Sequence, residues 1–138
     1  MKKLRRSDLH EHPYLIINIL FAGIIMLMML YSGIFSYQTN DFPVHCIHES
    51  ITGQPCPSCG LSRSFSAMVR GQINVAAAFN PNGIPVFVFF LVQFFMRIAF
   101  SFVYIRLSAR RTLLIWSDGL LSFVFFIFSF RGLMLFPF

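Results

Sequence analysis

Charge is what this sequence has least of: 12% of its 138 residues are Asp, Glu, Lys or Arg. A typical water-soluble domain carries about 25%, so most of this chain is built for lipid, as its 57% hydrophobic content and nineteen Phe also require. Carboxylates are sparse where chemistry would need them. Asp41 and Glu49 stand apart from any second acid, which leaves no pair for general acid and base work of the glycosidase kind. Histidine is missing from the long apolar runs. The Phe-rich stretches 87–95 and 123–130 therefore have no histidine beside them to ligate a haem and read as lipid-facing surface. No A-x-A-like site follows the first apolar run, so that run is a retained anchor and not a cleaved signal. Cysteine, too, is absent from every long apolar segment. The three present, Cys46, Cys56 and Cys59, are clustered, as a staple or a reactive site would have them.

What is there reads as an all-α membrane protein with three transmembrane helices. From Tyr14 to Tyr37 no residue is charged. As a helix rising about 1.5 Å per residue, that run covers roughly 36 Å, against a hydrocarbon core of roughly 30 Å. Two further runs, 84–105 and 112–131, are also long enough. The chain is then one membrane domain, 1–138. It has a basic tail over 1–13, spans at 14–37, 84–105 and 112–131, a long loop over 38–83 and a short one over 106–111.

Basic residues set the orientation. Lys2, Lys3, Arg5 and Arg6 precede the first span, and Arg106, Arg110 and Arg111 lie between the second and third. The long loop holds only Arg63 and Arg70, and Arg131 follows the third span. The N-terminus is thus expected in the cytoplasm, with the 38–83 loop outside. The net charge of +6 sits in short runs at the ends of apolar stretches, where it meets anionic headgroups. Membrane lipids are the expected partners, and nucleic acid is not one.

Arg97 lies nine residues before Arg106, and Asp118 lies seven after Arg111, so an antiparallel hairpin brings the two to similar depth. Each unpaired charge in a span costs roughly 2.5 to 3.5 kcal/mol on insertion scales. Arg97 and Asp118 are therefore expected to pair and lock the hairpin. Ser and Gly within the spans read as packing.

The reactive groups of the outer face fall in residues 45–63, which include His45, Cys46, His48 and the run Cys56-Pro57-Ser58-Cys59-Gly60-Leu61-Ser62-Arg63. Apolar residues at 61, 65, 68 and 69 predict a short helix lying on the membrane surface, with Arg63 and Arg70 turned to headgroups or water and Gly71 as its stop. A second short helix is predicted over 73–79, ending at the turn Asn80-Pro81-Asn82-Gly83. At the start of the first, Cys59 would face free backbone N–H groups and the positive dipole end, with Arg63 on the same face, and both favour thiolate. Three readings stay open. A disulfide involving Cys46 staples the loop. Alternatively Cys56 and Cys59 exchange disulfides, with Cys46 as the relay. Or Cys46, His48, Cys56 and Cys59 hold zinc or iron.

The order Cys46, Thr52-Gly53, Cys56-Pro57-x-Cys59-Gly60-Leu61-Ser62-Arg63, Gly71, Asn80-Pro81 resembles the pattern C…TG..CPxCGxTR…G…NP. That pattern belongs to a family of small bacterial integral membrane proteins described as a domain of unknown function. The resemblance covers roughly 44–83 and continues into the hydrophobic hairpin, more than half the chain. It marks Cys46, Cys56, Cys59, Gly60 and Arg63 as the site, with Asn80 and Pro81 closing the cap. Ser62 stands where the family has Thr, which keeps the hydroxyl. His48 lies outside the pattern, which weakens the four-ligand metal site. The resemblance implies a bacterial cytoplasmic membrane and brings no reaction.

Function is therefore expected to be that of an accessory or assembly subunit of a larger membrane complex with a cysteine-stapled exterior cap. The alternatives are a membrane thiol-disulfide oxidoreductase and a metal-binding module. Transport is the weakest reading, since three spans are too few for a path.

Overall fold

The computed structural model describes residues 12–38, 51, 53, 58–106 and 111–134. Among them are five α-helices: α1 (Pro13–Ile34), α2 (Leu61–Val69), α3 (Ile73–Phe79), α4 (Gly83–Arg106) and α5 (Arg111–Met134). Three of these, α1, α4 and α5, are long and apolar enough to cross a membrane. The protein is therefore an all-helical membrane protein in which two short helices sit at one end of three long ones.

Each long helix turns apolar residues outward and sets polar residues among those it buries. The buried residues of α1 include Asn18, Ile25 and Ser32, seven residues apart. The buried residues of α5 are Asp118 and Ser129, and those of α4 include Val86, Gln93 and Tyr104. Steps of seven and eleven return a 3.6-residue helix to the same face, so each helix turns one seam inward. Lipid tails are as apolar as Leu, and burying Leu between helices gains little; interhelical hydrogen bonds and close packing hold such helices instead. Between α4 and α5 the packing is aromatic: Phe89 meets Phe126 and Phe130 edge-on, at centroid distances of 6.0 and 5.4 Å.

The first span ends earlier than its hydropathy suggested, at Ile34 instead of Tyr37. Phe35 turns to extended backbone (φ −83°, ψ 122°), and Tyr37 leaves the span to enter the cap. Its ring packs on Ala67, Ala76 and Phe79. Its backbone N–H donates to Ser66 Oγ at 3.1 Å, and its hydroxyl bonds Gln72. At the other end, α5 continues to Met134, past the expected 131. There Gly132 lets the last turns of α5 pack against the Asn82 side chain, which a Cβ would overlap.

Helix α2 also departs from expectation. Ser64, Phe65, Ser66 and Ala67 are all buried, four in succession. No helix lying on a surface by one stripe buries four consecutive residues. α2 is instead enclosed by α1, α3 and α4. Phe65, Val86 and Phe87 make a core with Met28, Met68 and Phe130 around them. Gly83 is where α4 presses on α2, since a Cβ there would be 2.1 Å from Ser64 Oγ. The predicted stop holds. Gly71 takes φ +74°, its N–H donates to Met68 O at 2.9 Å, and the Gln72 N–H donates to Ala67 O at 2.9 Å. That is a Schellman motif, which satisfies two of the carbonyls that a helix end leaves over.

Arg70, expected in the headgroups or water, is exposed, and its guanidinium also reaches back over the end of α1: Nη2 donates to Gly33 O at 2.9 Å, and Nη1 donates to Ser32 O at 3.2 Å and Ser66 O at 2.9 Å. The last turn of a helix carries free carbonyls and the negative dipole end, and a cation there satisfies both. One side chain thus fastens the cap to the first span.

Candidate functional site

Two polar constellations stand out, one in the cap and one between the long helices. The cap site is built where the turn 58–60 enters α2 and where α3 hands over to α4. Gly60, just before α2, has φ +77°, and a Cβ there would lie 2.6 Å from Phe79 O. Only glycine lets these two backbones approach so closely. Asn80 is 4% exposed and ties the same two segments: its Nδ2 donates to Cys59 O at 2.9 Å, while its Oδ1 accepts from the Asn82 N–H at 2.9 Å. The second bond is an Asx turn, which sets the bend before Pro81 and α4. Arg63 places its guanidinium 6.0 Å from the centre of the Phe79 ring. Cys59, Gly60, Arg63 and Asn80 are therefore neighbours, though up to 21 residues separate them in sequence.

The sulfur of Cys59 is in a disulfide. Cys46, Cys56 and His48 lie outside the described residues, as do His45 and Thr52. Among the described residues no three His, Cys, Asp or Glu side chains gather as a metal site. A half-cystine sulfur offers no thiolate, so zinc or iron on the Cys46, His48, Cys56, Cys59 set would require reduction first. Asn80→Ala should cost the cap about 1 to 3 kcal/mol, because the Cys59 carbonyl loses its buried donor. Faster proteolysis between α2 and α4 in detergent is the expected readout; wild-type resistance would show that the bond contributes little.

The second constellation centres on Arg97. Its Nη1 and Nη2 each lie 2.8 Å from a different oxygen of Asp118, a bidentate pair with side-chain exposures of 13% and 3%. Nη1 also donates to Asn18 Oδ1 at 2.9 Å, and Nη2 to Gln93 Oε1 at 3.1 Å and to Ser122 Oγ. Tyr14 completes the carboxylate by donating its hydroxyl to Asp118 Oδ2 at 2.7 Å. The guanidinium and carboxylate thereby join α1, α4 and α5. Asn18 and Gln93 turn their amide oxygens to the cation, and their buried Nδ2 and Nε2 find no hydrogen-bond acceptor among the described residues. Below this cluster Tyr104, 6% exposed, takes the edge of His12, the ring of Tyr14 and the guanidinium of Arg111.

Sequence reasoning named Arg97 and Asp118 but passed over Tyr14, Asn18, Gln93 and Ser122 as partners. The available signal was spacing: Tyr14 and Asn18, Gln93 and Arg97, and Asp118 and Ser122 are each four apart in otherwise apolar helices, and therefore share a face.

Long apolar helices with a polar interior and a disulfide-bearing cap define a helical membrane protein. Residues 46–94 match the family described as a protein of unknown function, DUF2752. The match begins at Cys46 and takes in the cap, but it ends within α4 before Arg97. It covers less than half of the chain, a shorter reach than the resemblance implied. No curated protein and no solved structure matches.

Proposed function

We propose that the chain is an accessory or assembly subunit of a larger membrane complex, with the disulfide-stapled cap as the surface it presents to that complex. The observation that carries this reading is the setting of Cys59. Its sulfur is in a disulfide, its carbonyl is held by Asn80, and the next residue is wedged against Phe79. A disulfide pinned on both sides of the backbone fits a staple better than a bond that opens and closes in turnover. Such bonds persist in oxidising compartments, which favours a cap outside a bacterial cytoplasmic membrane and an N-terminus in the cytoplasm, in line with the basic residues at 2–6 and 106–111.

One observation favours the thiol-disulfide oxidoreductase reading as the second. Cys59 lies two residues before α2, and a thiolate released there would meet the N–H groups of its first turn.

Impermeant alkylation of intact cells tests for the disulfide, and the redox state of other exported proteins separates the two readings. As a staple, one of the three cysteines labels before reduction and all three after it, and Cys59→Ser leaves the redox state of other exported proteins unchanged while loosening the cap by about 2 to 4 kcal/mol. A shift in the redox state of those proteins would move the function to the oxidoreductase. For the assembly role, native electrophoresis in mild detergent should place the chain well above its own 15.9 kDa; migration as a lone chain would overturn it.

A further inference from the structure

An apolar groove of about 410 Å³ runs down the flank of the molecule between α1 and α4. Met29, Leu30 and Gly33 of α1, Val69 at the end of α2, and Leu91 and Phe94 of α4 line it. From Met26 to Ile34 its α1 wall extends roughly 12 Å along the helix axis, at about 1.5 Å per residue. The groove's upper lip is where α1 ends, and there the Arg70 guanidinium sits, bonded to Gly33 O and next in sequence to Val69. Arg70 is exposed, and all its acceptors are neutral: backbone carbonyls of Ser32, Gly33, Phe35 and Ser66, and the Ser66 hydroxyl. No carboxylate neutralises it among the described residues. A helix of 22 residues spans about 33 Å, close to the hydrocarbon thickness, so its end lies at headgroup depth.

An exposed cation at headgroup depth, with neutral acceptors among the described residues and an apolar slot beside it, complements the two parts of an anionic phospholipid. We propose that this groove is a binding site for one anionic phospholipid, its phosphate on Arg70 and an acyl chain lying between α1 and α4. The headgroup phosphate meets a guanidinium that has only neutral acceptors among the described residues, and the acyl chain fills the slot that Gly33 lines.

The probe is phosphatidylglycerol against phosphatidylcholine. Full-length protein is taken from mixed bilayers of the two and the lipids it retains are counted by native mass spectrometry. Wild type is expected to retain phosphatidylglycerol about fivefold above its share of the bilayer, which corresponds to the roughly 1 kcal/mol that one basic residue gains near anionic lipid. Leu91→Trp obstructs the slot but leaves the Arg70 bonds in place, and should abolish that enrichment. Arg70→Lys keeps the charge and should retain most of it, whereas Arg70→Gln should remove it. If Arg70→Gln proves unstable through loss of the α1 cap, Leu91→Trp and Arg70→Lys still decide the matter. Retention in proportion to the bilayer, or enrichment that survives Leu91→Trp, overturns the proposal. So does a photo-crosslinker at Leu91 that captures a polypeptide instead of lipid in intact membranes.

Discussion

Replacing Asp118 with alanine is expected to destabilise the folded chain by about 3 to 5 kcal/mol, the cost of stranding the buried partner of an ion pair. Arg97 would lose two of its bonds, at 2.8 Å each, and keep only neutral acceptors from Asn18, Gln93 and Ser122. The penalty largely disappears when both partners go. Arg97→Met with Asp118→Leu removes the charges together, and well-packed apolar replacements of a buried pair are often neutral or better. Reversible unfolding in mixed micelles, followed by helicity, should therefore find the double variant much closer to wild type than either single one. A double variant as unstable as Asp118→Ala would mean that these side chains matter for their shape and not for their charge. Arg97→Lys belongs in the same series. An ammonium group cannot bridge both carboxylate oxygens and two amides in one plane, so it should recover only part of the loss.

Gly60→Ala is the second large expectation, and Gly71→Ala is its internal control. Both glycines have nearly the same backbone, φ +77° and +74°, so both substitutions incur the left-handed penalty of roughly 1 to 2 kcal/mol. They differ in surroundings: nothing lies within 4 Å of a Cβ at Gly71, but Phe79 O lies 2.6 Å from one at Gly60. A backbone carbonyl cannot swing aside as a side chain does, so α2 and α3 must separate. Gly71→Ala should show the conformational penalty alone. Gly60→Ala should exceed it by at least 1 kcal/mol in thermal unfolding in detergent and expose the cap to protease. Equal shifts at the two positions would mean that the approach of Gly60 to Phe79 is not a constraint.

The long helices were legible because their signals are one-dimensional. An apolar run either is or is not long enough, and counting inward from Arg106 and Arg111 places Arg97 and Asp118 at like depth without knowledge of the fold. The stop at Gly71 was equally local, since a Schellman motif needs only neighbours. The cap was less legible, because what shapes it is distant in sequence. Hydropathy cannot tell that Tyr37 belongs to the Ala67 and Ala76 core and not to the span, nor that Arg70 reaches 37 residues back to Gly33. The helical stripe at 61, 65, 68 and 69 was real, yet Ser64 and Ser66 are buried too, with Ser66 donating to Phe35 O at 2.6 Å. A polar residue can be interior when a carbonyl from another segment meets it, and sequence alone does not announce the carbonyl. Cys59, Gly60, Arg63 and Asn80 were named by resemblance; the structure adds that Asn80 and Phe79 are what the Cys59-Gly60 backbone rests on.

The polar knot around Arg97 also bears on how the chain is made. α1 enters the membrane first, carrying Tyr14 and Asn18, which have no partners until the later helices arrive. Arg97 follows, and then Asp118 after a link of only a few residues between α4 and α5. Entering singly, each charge faces a barrier of roughly 2.5 to 3.5 kcal/mol; entering side by side, each shields the other. The hairpin is thereby suited to leave the insertion machinery as one unit, with Tyr14 and Asn18 of α1 adding their bonds to a pair already made.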